Sequence, residues 1–371
     1  VASIRDVAKQ AGVSPATVSR AFATPELINE QTQQRVFEAA RLLGYRPPRL
    51  RGGGTVGARV AAAPRLRQAE SPAATAAPLH DAIGFQFFSA TPDDALGNNL
   101  FYAPVLAGAQ AEAAALGLHL LVHSTDRHAL ADEMPRMVGE QAVGGLLLVG
   151  TADHAVLRAL SAHVRQIVLV DNRDETGPYE SVLSDGFGGA YGATRYLLKL
   201  GHRRIAFLDG EPGVPTFDDR RRGWLAALFE AGVSPDASWV LGGQEDDESR
   251  RGALYAALTT VTAAERPTAI LAANDHNALH AIRACRDASL RIPADVSLVG
   301  FDDVYWAAHS DPPLTTVGVD KEYMGRLAVR LLHARLRGDG ALGARRGARE
   351  PLPLRHVIPV SLVVRESCRP I

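Results

Sequence analysis

From Ile83 onward the chain alternates short aliphatic runs with amphipathic stretches, and no other feature restricts its fold as much. Strand-like runs fall at Ile83–Phe88, Leu118–His123, Gly145–Val149, Gln166–Asp171, Arg204–Leu208, Ala269–Ala273 and Ser297–Phe301. Helical stretches such as Val105–Leu116, Gly188–Leu200, Arg220–Ala231, Ser249–Thr260 and Ala278–Ala288 lie between them. Strands separated by helices pair in parallel through crossovers, so the pattern predicts a doubly wound α/β sheet. Such a run of strands and crossovers is more than one open sheet usually needs, which predicts two α/β lobes.

Two segments precede this body. Residues 1–47 are helical in pattern. Residues 48–80 are rich in Pro, Gly, Ala and Arg, with Gly52-Gly53-Gly54 among them. That composition lacks the apolar surface to fix a fold and predicts a flexible linker. The formal net charge of -1 hides an asymmetry. Residues 1–80 hold 11 Lys and Arg against 5 Asp and Glu, while the rest holds 29 against 36. A basic N-terminal segment on an acidic body points to an anionic partner; a merely solvated surface is the alternative.

Several classes drop out. Two cysteines, Cys285 and Cys368, cannot build a disulfide framework or a Cys-rich zinc site. No apolar stretch is long enough to span a bilayer. The start, Val1-Ala2-Ser3-Ile4-Arg5-Asp6, is charged and lacks the apolar core of a secretory leader. A cytoplasmic protein without a membrane partner is therefore expected. The histidines show no HxH or HExxH spacing, and there is no P-loop and no nucleophile elbow. Neither catalysis nor a metal nor a cofactor is expected.

The N-terminal segment is more specific. Ser3 is a good N-cap for a helix over Ile4–Ala11, whose apolar stripe is Ile4, Val7, Ala8 and Ala11. Gly12 supplies a left-handed turn residue. Ser14 caps a second helix, with Pro15 at its first position. A third helix starts after Asn29. Two short helices joined at a glycine turn, the second small, polar and basic, form either a structural αα-hairpin or a helix-turn-helix whose second helix enters the major groove.

The run Ile4-Arg5-Asp6-Val7-Ala8-Lys9-Gln10-Ala11-Gly12-Val13-Ser14-Pro15-Ala16-Thr17-Val18-Ser19-Arg20 resembles the DNA-binding signature of the lactose-repressor (LacI/GalR) family. Leu43-Gly44-Tyr45-Arg46-Pro47 resembles the end of that headpiece. Leu200-Gly201-His202-Arg203-Arg204, Arg220-Arg221-Arg222-Gly223-Trp224, Ala273-Asn274-Asp275, Val299-Gly300-Phe301-Asp302-Asp303 and Pro313-Leu314-Thr315-Thr316 follow in the family's order. The resemblance implies an all-α helix-turn-helix headpiece over 1–47. A flexible linker over 48–80 joins it to a periplasmic-binding-protein-like domain of two doubly wound lobes over 81–371. We expect the first lobe over about 81–182 and 314–350, and the second over about 183–313 and 351–371. The family's dimer reading a pseudo-palindromic operator is expected too, since one headpiece offers little contact area.

By resemblance, Pro15, Ala16 and Arg20 occupy the main base-reading positions. Of these only Arg20 can donate a bidentate pair to guanine, worth ~1–3 kcal/mol of discrimination. Pro15 and Ala16 offer apolar contact. Ser3, Ser14, Thr17 and Ser19 are candidates for phosphate contact, and Thr17 is equally a cap or packing residue; Tyr45 completes the implied DNA set. One departure stands out. Relatives insert a leucine from a short hinge helix into the minor groove, but here that slot falls on Gly54, among glycines that disfavour helix by ~1 kcal/mol each. Either the headpieces dock through an arginine-rich tether, or another part of 50–68 forms the hinge in a shifted register.

The two-lobed body implies a ligand in the cleft at the carboxyl ends of the strands. Phe101 and Tyr102 are candidates to stack on a sugar or base, or plain core. Asp171, Asn274 and Asp302 end strands and offer acceptors to hydroxyls, with turn formation as the other reading of such residues. Arg220 is the implied donor fork, while Arg221 and Arg222 are read as solvated. Asp247 falls where relatives often place an aromatic platform, which disfavours a nucleobase and favours a hydroxyl-rich or cationic ligand. The sequence thus reads as a DNA-binding regulator, a repressor controlled by a sugar or sugar derivative. The alternatives are an activator or dual regulator answering a non-sugar effector, and a solute-binding receptor without DNA function.

Overall fold

The computed structural model describes residues 4–15, 17–18, 21, 29, 32, 35–37 and 39–40, and then 81–89, 96–126, 134–152, 154–175, 177–242, 247–262, 264–337 and 354–371. The chain separates into two compact units, Val1–Ala73 and Ala74–Ile371.

In the first unit, helix α1 (Ile4–Ala11) buries Val7, Ala8 and Ala11. Gly12 takes φ +65°, a left-handed conformation that only glycine adopts without strain. The Val13 amide then donates to the Ala8 carbonyl at 3.0 Å, closing the end of α1. Ser14 opens the next helical segment, its Oγ accepting from the Thr17 amide at 3.1 Å. Asn29 Oδ1 accepts from the Thr32 amide at 2.8 Å in the same way. Val7, Ala8, Ala11, Val18, Ala21, Val36, Ala39 and Ala40 form one core, with Ile4 and Val13 packed against it. Alanine at five of these eight positions lets three short segments approach closely around little apolar volume.

The second unit holds two sheets of six strands. The first is ordered β11-β5-β4-β3-β1-β2 and the second β12-β10-β9-β8-β6-β7. The first comprises β1 (Ala82–Ser89), β2 (His119–Asp126), β3 (Gly145–Val149), β4 (Gln166–Val170), β5 (Glu180–Ser184) and β11 (Arg355–Ile358). The second comprises β6 (Ile205–Asp209), β7 (Val240–Gly242), β8 (Ala269–Ala272), β9 (Ser297–Asp302), β10 (Thr315–Gly318) and β12 (Ser361–Val363). Every pairing is parallel except β10 with β12. Crossovers are helical: α2 (Tyr102–Ala115), α3 (Arg136–Gly139), α4 (His154–Ser161), α5 (Gly186–Lys199), α6 (Pro215–Glu230), α7 (Asp247–Thr259), α8 (Asp275–Asp287) and α9 (Lys321–Leu336).

Central strands are covered on both faces, so they are apolar throughout. All of β1 and β3 is buried, as are Ile167 to Val170 of β4. Truncating one of these side chains to alanine costs about 2–5 kcal/mol. Helix α9 lies on the first lobe against α2 at a backbone-to-backbone approach. A Cβ on Gly108 would meet the Glu322 carbonyl oxygen at 2.0 Å, and one on Gly325 the Val105 oxygen at 1.9 Å. Arg330 clamps the same helices through a bidentate pair with Glu112 at 2.8 and 2.9 Å.

The expected lobe boundaries need two corrections. Residues 314–350 are expected in the first lobe, but β10 pairs with β9 and belongs to the second. Residues 351–371 are expected in the second, but β11 pairs with β5 and belongs to the first. Both strands are four residues long and mixed in polarity, so periodicity does not reveal their partner. The chain therefore crosses between lobes after β5, after β10 and after β11. The linker, its Gly52–Gly54 run and the hinge question lie outside the described residues.

Candidate functional site

Within the two-lobed unit, the carboxyl ends of the strands gather polar side chains from both sheets. In the first lobe, Asn99 Oδ1 accepts from the amides of Phe101 and Tyr102 at 3.0 and 2.8 Å and so caps α2. Tyr102 lies against Phe87 and edge-on to Phe101, each with ring centroids 5.0 Å apart. Its hydroxyl donates to Asp171 Oδ2 at 2.8 Å. Asp171 directly follows β4 and takes φ +54°, which turns the chain sharply out of the sheet. Its Oδ1 is buried without a hydrogen-bond partner, as is Nδ2 of the neighbouring Asn172.

In the second lobe, Pro215 starts α6 and the helix carries Arg220 inward, 2% exposed. The guanidinium lies 3.8 Å above the Phe301 ring. Its two Nη groups donate to the Ala273 carbonyl and, at 3.0 Å, to Asp302 Oδ1, while Nε is buried and unpartnered. Asp302 ends β9 at φ +110° and Asp303 follows at φ +50°. Two non-glycine residues in left-handed backbone store strain, and such strain concentrates at functional turns. Three contacts hold the turn. Lys321 Nζ donates to the Asp302 and Asp303 carbonyls at 2.5 and 3.1 Å, and Arg365 pairs with Asp303 at 2.7 Å.

The electrostatics follow from burial. Desolvation raises Asp171 to about 6, although the Arg220 guanidinium and the Tyr102 hydroxyl favour its charged form. Desolvation likewise raises Asp302 against the pull of Arg220 and Lys321. Asp275 is pushed to about 7 by burial and by the nearby Asp302. It accepts from Thr316 Oγ1 at 2.6 Å and from the Val304 amide at 2.9 Å. Arg220 is thus the cation between two carboxylates, one from each lobe.

The structure links four of the expected cleft residues, Tyr102 to Asp171 and Arg220 to Asp302, with Phe101 packed on Tyr102. Asn274 spends Oδ1 on capping α8 at 2.8 Å. Asp247 is the first residue of α7, not part of a preceding loop, and its side chain is outside the described residues. Arg221, read as solvated, pairs with Asp209 at 3.1 Å and with Asp218 at 2.8 Å. Asn172, Arg173, Lys321 and Asp275 are not among the residues expected from the sequence. Asn172 and Arg173 directly follow Asp171, and that adjacency was the available signal. Of the DNA set, Ser14, Pro15 and Thr17 are described: Pro15 begins the second helical segment and the Thr17 hydroxyl lies 2.9 Å from Ser14 Oγ. Ser3, Ala16, Ser19, Arg20 and Tyr45 lie outside the described residues.

Among the described residues no helix is long and apolar enough to cross a membrane, and no group of three or more His, Cys, Asp or Glu is placed to hold a metal ion. His202 is buried in a structural role, bonded to Thr268, Ser297 and the Arg369 carbonyl.

A helix-turn-helix unit joined to a two-lobed α/β unit with a polar cleft defines a ligand-binding transcription regulator. A family model for bacterial regulatory proteins of the lacI family matches residues 3–48, and one for a periplasmic binding protein-like domain matches residues 194–368. The chain is 32% identical over 333 residues to the HTH-type transcriptional regulator GalS of Salmonella typhimurium, covering 89% of this chain and 88% of that protein. It is 28% identical over 340 residues to the HTH-type transcriptional repressor PurR of Photobacterium profundum, covering 91% and 92%. A solved complex of the transcriptional regulator CelR with cellobiose is similar at TM-score 0.67 and 28% identity, over 99% of this chain and 100% of that one. The lac repressor dimer bound to operator and the anti-inducer ONPF is similar at TM-score 0.64 and 26% identity, over 99% of each. The chain belongs to the LacI family, whose members named here regulate transcription and are not enzymes.

Proposed function

We propose that the protein is a cytoplasmic, homodimeric repressor whose operator affinity is set by a sugar or sugar derivative held between Asp171 and Arg220. The observation that carries the effector part is the pair of buried, unpartnered atoms, Asp171 Oδ1 and Arg220 Nε. Burying polar atoms without partners costs about 1–3 kcal/mol each. A ligand hydroxyl that donates to the carboxylate and accepts from the guanidinium satisfies both, and a polyol offers several such groups. The similarity to a cellobiose-bound regulator supports this class. Tyr102 and Phe101 supply an aromatic flank beside the acceptor.

On the DNA side, the second helical segment enters the major groove. Arg20 reads guanine, Pro15 and Ala16 make apolar contacts, and Ser3, Ser14, Thr17, Ser19 and Tyr45 hold the backbone. The amides at the start of that segment add a phosphate site. With Gly54 at the wedge position, the headpieces are tethered and do not kink the operator at its centre; a strong central bend in gel-phase assays contradicts this.

The test is a thermal-shift screen of the full chain against sugars, sugar phosphates, polyols, nucleosides and cations. Ligand at 100 times Kd stabilises by about 2.7 kcal/mol. A sugar hit lost in Arg220→Ala supports the reading. A hit from another class favours a regulator answering a non-sugar effector.

A further inference from the structure

The loop that carries Asp171 and the helix that carries Arg220 are joined by an ion pair. Arg173, two residues beyond Asp171, donates through Nη1 to Asp219 Oδ2, and Asp219 immediately precedes Arg220 on α6. Arg173 Nε donates to Glu175 Oε1 at 2.7 Å. The other oxygen of Glu175 takes Arg355 at the start of β11, and the other oxygen of Asp219 takes Arg222. The result is an unbroken chain of charges, Arg355–Glu175–Arg173–Asp219–Arg222. Only the Arg173–Asp219 link runs from one lobe to the other. It is also the least wet link, with side chains 11% and 23% exposed, where the flanking Glu175 and Arg222 are each 59% exposed.

We infer that Arg173 and Asp219 form a latch that holds the lobes closed and so positions Asp171 against Arg220. Neither latch residue contacts the effector. The inference rests on the effector reading above for what closure serves; the latch itself concerns the two lobes alone. Its logic is population shift. A cleft that binds only when closed has an apparent Kd equal to the intrinsic Kd divided by the closed fraction. Removing either partner leaves the other with its same-lobe neighbour, Glu175 or Arg222, so each lobe stays internally paired while the bridge is lost.

Hydrogen exchange of the full chain without ligand tests the latch directly. Peptides covering 171–175 and 215–222 are followed in wild type, Arg173→Ala, Asp219→Ala, the double variant and Arg222→Ala. The latch predicts about tenfold faster exchange of both segments in either single variant. The double variant should be no faster, because one bridge is lost once. Arg222→Ala, which touches Asp219 from the same helix, should match wild type. Arg173→Lys should recover part of the protection, which a purely packing role for the arginine stem does not predict for both segments at once. Unchanged exchange in both single variants, or additive effects in the double, overturns the latch. Should an alanine variant fail to fold, Arg173→Gln and Asp219→Asn carry the same comparison with less loss of volume.

Cellobiose titration of the same set reads the effector side. About tenfold weaker binding in the latch variants supports the latch, and equal binding overturns it. If cellobiose binds no variant, wild type included, that counts against the sugar reading, and exchange alone decides the latch.

Discussion

The two faces of the cleft are built differently. On the second lobe nearly every polar group is already engaged, Arg220 Nε excepted. Arg220 is bonded to Asp302 and Ala273 and stacked on Phe301. Asn274 caps α8, Asp275 is doubly bonded below them, and Lys321 holds the strained Asp302–Asp303 turn. On the first lobe Asp171 has one partner, Tyr102, and a bare oxygen. The second face is preorganised and costs nothing further to arrange; the first has electrostatic capacity left to spend on a ligand. Preorganised donors facing an under-satisfied acceptor are how a modest ligand biases the closed state over the open one.

The sharpest way to break this comparison is Arg220→Ala. It removes the guanidinium that favours the charged forms of Asp171 and Asp302 and leaves Asp302 without its ion pair. We expect a stability loss of about 3 kcal/mol by thermal unfolding, because breaking a buried pair strands the remaining charge, together with loss of effector response. Asp171→Asn comes next. It keeps a partner for the Tyr102 hydroxyl but removes the charged acceptor, so calorimetry should show effector binding weaker by about 1.5–3 kcal/mol with little change in stability. If it destabilises the fold as much as Arg220→Ala, the two faces are not different in kind.

The pH dependence gives a smaller effect with a definite sign. Asp171 and Asp275 have folded values raised to about 6 and about 7, so the folded chain holds their protons more tightly than the unfolded chain. Their contribution to stability is complete below about pH 4 and is lost as pH rises through 6 and 7, by at most ~1.4 kcal/mol per unit and group. Asp275→Asn can donate to Thr316 and accept from Val304, so unfolding midpoints should fall less steeply between pH 5 and 7.5 than in wild type. An unchanged slope removes Asp275 from the account. Smallest is Asn274→Ala, which deletes a helix cap. We expect about 1 kcal/mol of stability lost and effector affinity retained; lost affinity with unchanged stability reverses that assignment.

Much of this was legible in the residues. The buried central strands announced themselves as continuous apolar runs, and Gly12, Ser14 and Asn29 marked the helical boundaries of the first unit through turn and cap chemistry. Arg220, Asp171 and Asp302 were readable because they sit at strand ends or in a recognisable run. Short strands such as Thr315–Gly318 and Arg355–Ile358 were not, since four residues of mixed polarity fit either sheet. The latch was also hidden. Arg173 and Asp219 lie 46 residues apart in different lobes, and nothing local in either segment names the other. Asn274 shows the converse: its strand-end position suggested a ligand, while its side chain serves the helix.

The central claim is that a small molecule in the cleft controls DNA binding. The direct test selects operator sequences from random duplexes with the full chain. It then measures operator affinity by fluorescence anisotropy, with and without the stabilising sugar, for wild type and Arg220→Ala. The account predicts sequence-specific binding by both proteins and a shift of about tenfold or more with sugar in wild type alone, equivalent to ~1.4 kcal/mol of coupling. Binding to no sequence, or an equal shift in both proteins, contradicts it.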